Sequence, residues 1–241
     1  MIGETLVAGG TDQLPAGRTV QPAAALPDKG KRMFIEQRQV GQMGVFAYLV
    51  GDPESGEALV IDPADDADGL IAMARQHKVQ IKWIVNTHGH VDHIGGNADM
   101  KKKTGAEIIV HEDDAGMLVD TPPMMLRMFG GQASPPADRT VREGDFIEAG
   151  AVRLQVIHTP GHSPGSMVLY TPGYAFTGDT LFVEAVGRTD LPGGSGAVMF
   201  ESLQKKICPL PDDTVVMPGH HYGSAPTSTI GHEKRFNPFL R

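Results

Sequence analysis

Cysteine is almost absent from this chain: Cys208 stands alone among 241 residues. A single thiol cannot close an internal disulfide or supply a thiolate-rich metal site, and the expected compartment is a reducing one, the cytoplasm. Long apolar runs are lacking too. No stretch approaches the roughly 18 residues that span a bilayer, which speaks against a membrane protein. The N-terminal "MIGETLVAGG" has no basic residue before its apolar patch, so a secretory signal is not expected. Positive charge is in deficit, with 21 Lys and Arg against 29 Asp and Glu and a formal net charge of −8. That balance opposes a nucleic-acid partner, which needs clustered cations. The one lysine run, Lys101 to Lys103, is expected to be a solvated helix end.

Residues 1–31 are rich in Gly, Ala and Pro and read as a tail or an extended arm. Residues 32–241 show no linker and are expected to form one domain. "MFIEQRQV", "VFAYLV" and "EALVID" are short runs rich in β-branched and aromatic residues, broken by turn residues such as "GDPESG". In "DADGLIAMARQH", Leu70, Met73, Ala74 and His77 share one face of a helix. "IKWIVNTH" predicts a strand, "IGGNADMKKKTG" a helix closed by Gly105, and "AEIIVH" another strand. Strands are also predicted in "AVRLQVIHTPGH", "SMVLYT", "YAFTGD" and "TVVMPGHH", with a helix over "AVMFESLQKKI". Two blocks of strands, each with helices, predict two sheets packed face to face.

What the chain does have is histidine in clusters at strand ends. "NTHGHVDHIGG" gathers His88, His90, Asp92 and His93 within six residues. "HTPGHSPGS" adds His158 and His162, "FTGDT" adds Asp179, and "MPGHHYG" adds His220 and His221. A lone histidine at a strand end is usually a hydrogen-bonded structural residue, but four such clusters in order point to a metal site. Imidazole and carboxylate donors without thiolate suit Zn²⁺, Fe or Mn²⁺ at a hydrolytic centre.

His-x-His-x-Asp-His followed by "TPGHS", "TGDT" and "PGHHY" resembles the metallo-β-lactamase superfamily, from about Met33 onward. "AFTGDTLF", "GRTDLPGG" and "TIGHEKRFNPFL" make the chain most similar to the short glyoxalase II-like hydrolases. The resemblance implies an αββα sandwich of two mixed β-sheets with helices on the outer faces. It also implies that His88, His90 and His162 hold one ion, that Asp92, His93 and His220 hold a second, and that Asp179 bridges them. Seven donors exceed the needs of one ion, so two divalent metal ions, with Zn²⁺ first and Fe or Mn²⁺ as alternatives, are expected. A cation pair ~3.5–4 Å apart brings the pKa of a shared water to about 7, supplying hydroxide to attack a carbonyl carbon. The glycines of these motifs let successive side chains converge.

Other residues draw plainer readings. His158 and His111 are expected to be structural, His111 with a second option of lining the cleft, and His77 and His232 to lie at the surface. His221 either supports or exchanges with His220. Asp62 is expected to brace the metal loop, as its superfamily match does. Arg188 is a candidate substrate contact, against a structural pair with Asp190, and Tyr222 matches a substrate-contacting tyrosine of glyoxalase II. Residues 117–131 hold Met117, Met124, Met125 and Met128 and read first as core, otherwise as a lid over an acyl group or a dimer contact.

The function implied is hydrolysis of a small-molecule thioester such as a hydroxyacyl-glutathione, by a monomer or homodimer. Only 19 residues follow Tyr222, fewer than the helical domain that binds glutathione in full-length glyoxalase II. Glutathione recognition would then fall to Arg188, Tyr222, the terminal Lys234, Arg235 and Arg241, or another subunit. The alternatives are a mononuclear iron persulfide dioxygenase, which shares the "HTPGH" and "GRTD" stretches, and a lactonase. The oxygen-reducing diiron members carry Glu where this chain has His90 and fit less well.

Overall fold

A computed structural model of the chain describes residues 33–129 and 131–241. The tail or arm expected over residues 1–31 lies outside them.

The chain opens with a meander, β1 (Phe34–Val40), β2 (Val45–Asp52) and β3 (Glu57–Ile61), paired antiparallel. Helix α1 (Ala67–Gln76) then leads to β4 (Gln80–Val85). A short α2 (Val91–Ile94) and α3 (Asn97–Thr104) precede β5 (Glu107–His111). A 3₁₀ helix (Glu112–Leu118), α4 (Pro123–Phe129) and β6 (Arg139–Val141) complete this half. The order in the first sheet is β1-β2-β3-β4-β5-β6, with β3 to β6 parallel. The second sheet holds β7 (Phe146–Ala149), β8 (Val152–His158), β9 (Met167–Thr171), β10 (Tyr174–Gly178), β11 (Val215–Pro218) and β12 (Ser228–Thr229). Only β10 and β11 pair parallel in it. Helix α5 (Gly196–Ser202), extended by a π-helical turn (Leu203–Ile207), and α6 (Ile230–Phe236) cover its outer face.

Side-chain alternation along the strands assembles four layers. On β2, Phe46, Tyr48 and Val50 enter the cluster between the sheets, while Val45, Ala47 and Leu49 meet the helices outside. On the second sheet, Val156, Leu169, Phe176 and Met217 point inward, and Ile157, Val168, Ala175 and Val216 pack under α5. The two-residue period of a strand makes this division, and burial on both faces is why the central strands read as continuous apolar runs. Each fully buried Leu, Ile, Val or Phe contributes about 1.5–3 kcal/mol. The fold is the αββα sandwich of two mixed sheets that the sequence implied.

The helix expected across "IGGNADMKKKTG" is α3, which starts at Asn97. Gly95 and Gly96 separate it from α2 where the backbone passes under Ala64, and an added Cβ there would lie 3.0–3.2 Å from Ala64 carbonyl atoms. Gly105 closes α3 in the left-handed conformation, with its N–H on the Lys101 carbonyl. At that end Lys101 pairs with Asp138, and Lys103 with Asp68 and Asp99.

The two halves are joined at one rim. Phe46 N donates to the Gly219 carbonyl at 2.8 Å, the Tyr48 hydroxyl to the Pro218 carbonyl, and Met167 N to the Thr87 carbonyl at 2.9 Å. Four chain segments leave their strands at this rim: β3 into Asp62, β4 into residues 86–96, β10 into Asp179 and β11 into His220.

Candidate metal centre

The residues that leave the strands converge. His88 (1% exposed), His93 (0%), His162 (3%) and His220 (2%) are buried, and Asp179 is nearly so. Donor atoms of His88, His90 and His162 form one compact group, and those of Asp92, His93 and His220 a second, each within 4.8 Å. His90 Nδ1 lies 2.8 Å from His162 Nε2, and His93 Nε2 lies 3.2 Å from His220 Nε2. Asp179 faces both groups, with Oδ1 3.3 Å from His93 Nε2 and Oδ2 3.5 Å from His162 Nε2 and 3.6 Å from His220 Nε2. Asp92 Oδ2 sits 3.4 Å from His220 Nε2.

The outer nitrogens decide where the lone pairs point. His162 Nδ1–H donates to the Arg188 carbonyl (2.7 Å), and His220 Nδ1–H to the Met43 carbonyl (3.2 Å). His93 Nδ1–H donates to Asp62 Oδ2 at 3.0 Å. The Thr87 hydroxyl is committed as donor to Asp62, so it accepts from His88 Nδ1–H at 3.1 Å. Each outer nitrogen therefore carries its proton outward, and Nε2 of all four rings faces the centre. Two of the facing atoms, His88 Nε2 and Asp179 Oδ1, are buried without a hydrogen-bond partner. Buried acceptors converging without donors are costly unless a cation sits among them, so the residues fit a pair of metal ions.

Electrostatics distinguish the two groups. Burial, together with the neighbouring His93, pushes His88 well below its ordinary value, and burial with His162 lowers His90 to about 4. Both rings are neutral at physiological pH, as ligands must be. Burial also opposes charge on His93, but Asp179, Asp92 and Asp62 outweigh it and raise its pKa. For Asp179, burial alone would raise the carboxyl; His93, His220 and His162 reverse that and keep it ionised.

The remaining sequence readings land as follows. Asp62 accepts from Thr87 N, the Thr87 hydroxyl and His93, bracing the metal loop. His158 stacks on His111 at 3.9 Å and 16°, and its Nε2–H donates to the Pro164 carbonyl. Nitrogens of this pair and an Asp113 carboxylate oxygen lie within 4.8 Å of one another as a separate donor group at the rim, and His111 Nε2 is buried without a hydrogen-bond partner. His221 is exposed beside Phe46, while His77 stacks on Phe34 and pairs with Glu36, and His232 pairs with Glu184. The Arg188 guanidinium is exposed and paired with Asp190 at 2.7 Å; its backbone carbonyl, not its side chain, meets the site. Tyr222, 58% exposed, stacks on His220 at 4.8 Å. Residues 123–129 are not core: Met124 (64% exposed), Met125 and Met128 stand on a helix with no buried residue, because α4 packs beside α2 outside the sandwich. Phe129 with Met43, Val45, Val91 and Asp92 lines a recess next to the second donor group.

The Metallo-beta-lactamase superfamily profile matches residues 40–220. The chain belongs to this superfamily. Among metallo-β-lactamase superfamily relatives, hydroxyacylglutathione hydrolase GloC of Haemophilus influenzae is 35% identical, over 80% of this chain and 91% of that protein. The mitochondrial persulfide dioxygenase ETHE1 of Mus musculus is 31% identical, over 93% of this chain and 82% of that protein. The crystal structure of TTHA1623 in a di-iron-bound form superposes with a TM-score of 0.74 at 35% identity, covering 84% of this chain and 98% of that one. The protein is an enzyme with the metal-binding architecture of this superfamily, whose named relatives include a hydrolase and an oxygenase. Among the described residues, no helix is long and apolar enough to cross a membrane.

Proposed function

We propose that the protein is a metal-dependent hydrolase of small thioesters, a hydroxyacyl-glutathione or a related acyl-thiol. In this reading His88, His90 and His162 hold one divalent cation, Asp92, His93 and His220 hold the other, and Asp179 serves both. The observation that carries it is the completeness of both donor groups on the two sides of one carboxylate. Two divalent cations there would supply Lewis acidity and a water acidic enough to give hydroxide at neutral pH. The chain's own part is to fix the donors through Asp62, Thr87, Met43 and Arg188, and to keep His88 and His90 neutral by burial. Tyr222, stacked on His220, is a candidate contact for the thiol part, and the Arg188 guanidinium would have to leave Asp190 to serve as a second. The similarity to a hydroxyacylglutathione hydrolase over 91% of its length supports the same substrate class. The lone Cys208 supports a reducing, cytoplasmic compartment.

A second reading is a persulfide dioxygenase that uses iron. Its support is the similarity to ETHE1 over 93% of this chain, repeated in the 30% identity to ETHE1 from Myxococcus xanthus at a TM-score of 0.72. One experiment separates the two: purify the protein with its native metal, count ions per chain, and assay a glutathione thioester beside a glutathione persulfide with an oxygen electrode. Two ions and thioester cleavage that disappears in His162→Ala are expected. One iron with oxygen uptake on persulfide replaces the hydrolase by the dioxygenase.

A further inference from the structure

One buried carboxylate near the centre belongs to neither donor group. Asp114 sits in the 3₁₀ helix Glu112–Leu118, fully shielded from solvent. Its Oδ2 accepts from Gly89 N at 2.9 Å and from the Ser163 hydroxyl at 2.7 Å, and its Oδ1 accepts from Gly165 N at 2.6 Å. Burying an ionised carboxylate on neutral donors is unfavourable unless those bonds are short and well made. All three donors lie in the two loops that carry the first group. Gly89 is the residue between His88 and His90, and Ser163 directly follows His162.

The contact is as close as backbone allows. A Cβ on Gly89 would stand 2.6 Å from the Met117 Cβ, and one on Gly165 would stand 2.6 Å from Asp114 N and 2.7 Å from its Cγ. Glycine at both positions lets the 3₁₀ helix lie directly against each loop. Ser166 fixes the hydroxyl in turn, accepting from Ser163 N at 3.0 Å with its own oxygen 2.6 Å from the Ser163 oxygen. The second group is tied elsewhere, by Asp62 on His93 and the Met43 carbonyl on His220. His88 and His90 come from the first sheet and His162 from the second, so something must set their separation.

We propose that Asp114 is the positioning residue of the first cation site: by clasping the His88–His90 loop and the loop after His162, it sets the spacing of that donor group alone. It touches no reacting atom, and the assignment holds whether the bond cleaved is a thioester or another.

The test is cobalt(II) titration of the metal-free full chain, read by calorimetry and by the visible spectrum of the bound ion. His162→Ala and His220→Ala serve as references that mark the ion of each group. Asp114→Asn puts an amide N–H against backbone donors, and its affinity for the ion lost in His162→Ala is expected to fall roughly 10- to 100-fold with an altered spectrum. The ion lost in His220→Ala is expected to bind unchanged. Glu233→Gln is the control for plain destabilisation: Glu233 is buried and accepts from Glu184 N, the Ser228 hydroxyl and Asn237 Nδ2, none of them a donor-group residue, and both ions are expected to bind normally. Should Asp114→Asn fail to fold, Ser163→Ala removes one donor and is expected to weaken the same ion several-fold. Unchanged affinity and spectrum at the first site, or equal weakening at both, would overturn the assignment.

Discussion

Asp62→Asn isolates how a hydrogen bond outside the ligand set governs cation binding. Asp62 has φ +48°, a left-handed conformation that Asn tolerates, so the backbone is not strained by the exchange. Asn can keep the bond from Thr87 N on its oxygen. Its amide group must then face the Thr87 hydroxyl and His93 Nδ1, which both donate to Asp62 in the native protein. To accept from that amide, neutral His93 would move its proton to Nε2, where it points at Asp92 and Asp179 and blocks ligation. Restoring the ligating tautomer sacrifices a hydrogen bond to a charged group, about 1.5–3 kcal/mol, or roughly ten- to a hundredfold in affinity. The assay is competition against a chromophoric chelator, resolved into two steps, with thermal melting of the metal-free protein alongside. The expected result is a weakened ion at Asp92, His93 and His220, a smaller effect on the His88 group through the displaced Thr87 hydroxyl, and an unfolding free energy lowered by about 2–4 kcal/mol, the loss of two buried bonds. Wild-type affinity for both ions in Asp62→Asn would refute the tautomer argument.

The raised pKa of His93 means that the metal-free protein keeps a proton there at pH 7; its stabilising effect is full below about 6.5 and lost as pH rises through the raised value. Affinity of the second group for a cation should climb over that window, and calorimetry at pH 7 in buffers of different ionisation enthalpy should show about one proton released there. His90, held at about 4, should release none; equal release at both sites would contradict this. Gly219→Ala would place a Cβ 2.4 Å from Asp179 Oδ1 and 3.0 Å from His93 Cε1, so a loss on the order of 100-fold in turnover is expected with an unchanged circular-dichroism spectrum. Arg188→Ala should leave metal content and melting temperature nearly unchanged, because the carbonyl of that residue positions His162 while its guanidinium lies in water; loss of an ion in that variant would show that the side chain matters after all.

Much of the architecture was legible because strand and helix periods are written in side-chain polarity. The alternation of Val152, Leu154 and Val156 gave β8, and Gly105 marked the end of α3. The short β6, β7 and β12 were not foreseen, since two to four residues carry too little pattern. In the site, ligand residue types announced themselves, and Asp62 was read correctly as a brace. The carbonyls of Met43 and Arg188 could not be, because any residue offers a carbonyl and only the fold aims it. Asp114 was hidden for a related reason: its role appears only when the loops after β4 and β8 bring Gly89 and Gly165 against it. The methionines at 124, 125 and 128 misled, because apolar composition states that a side chain prefers cover and not that the fold supplies it.

Each donor group draws on both halves of the sandwich: His88 and His90 with His162 across the rim, Asp92 and His93 with His220. An ion held in either place would therefore rivet one half of the molecule to the other. Breaking a single coordination bond would not free it, since the partners on the opposite half remain in place. Escape would wait for the seam itself to gape, and the residence time of the metal would become a clock for that breathing.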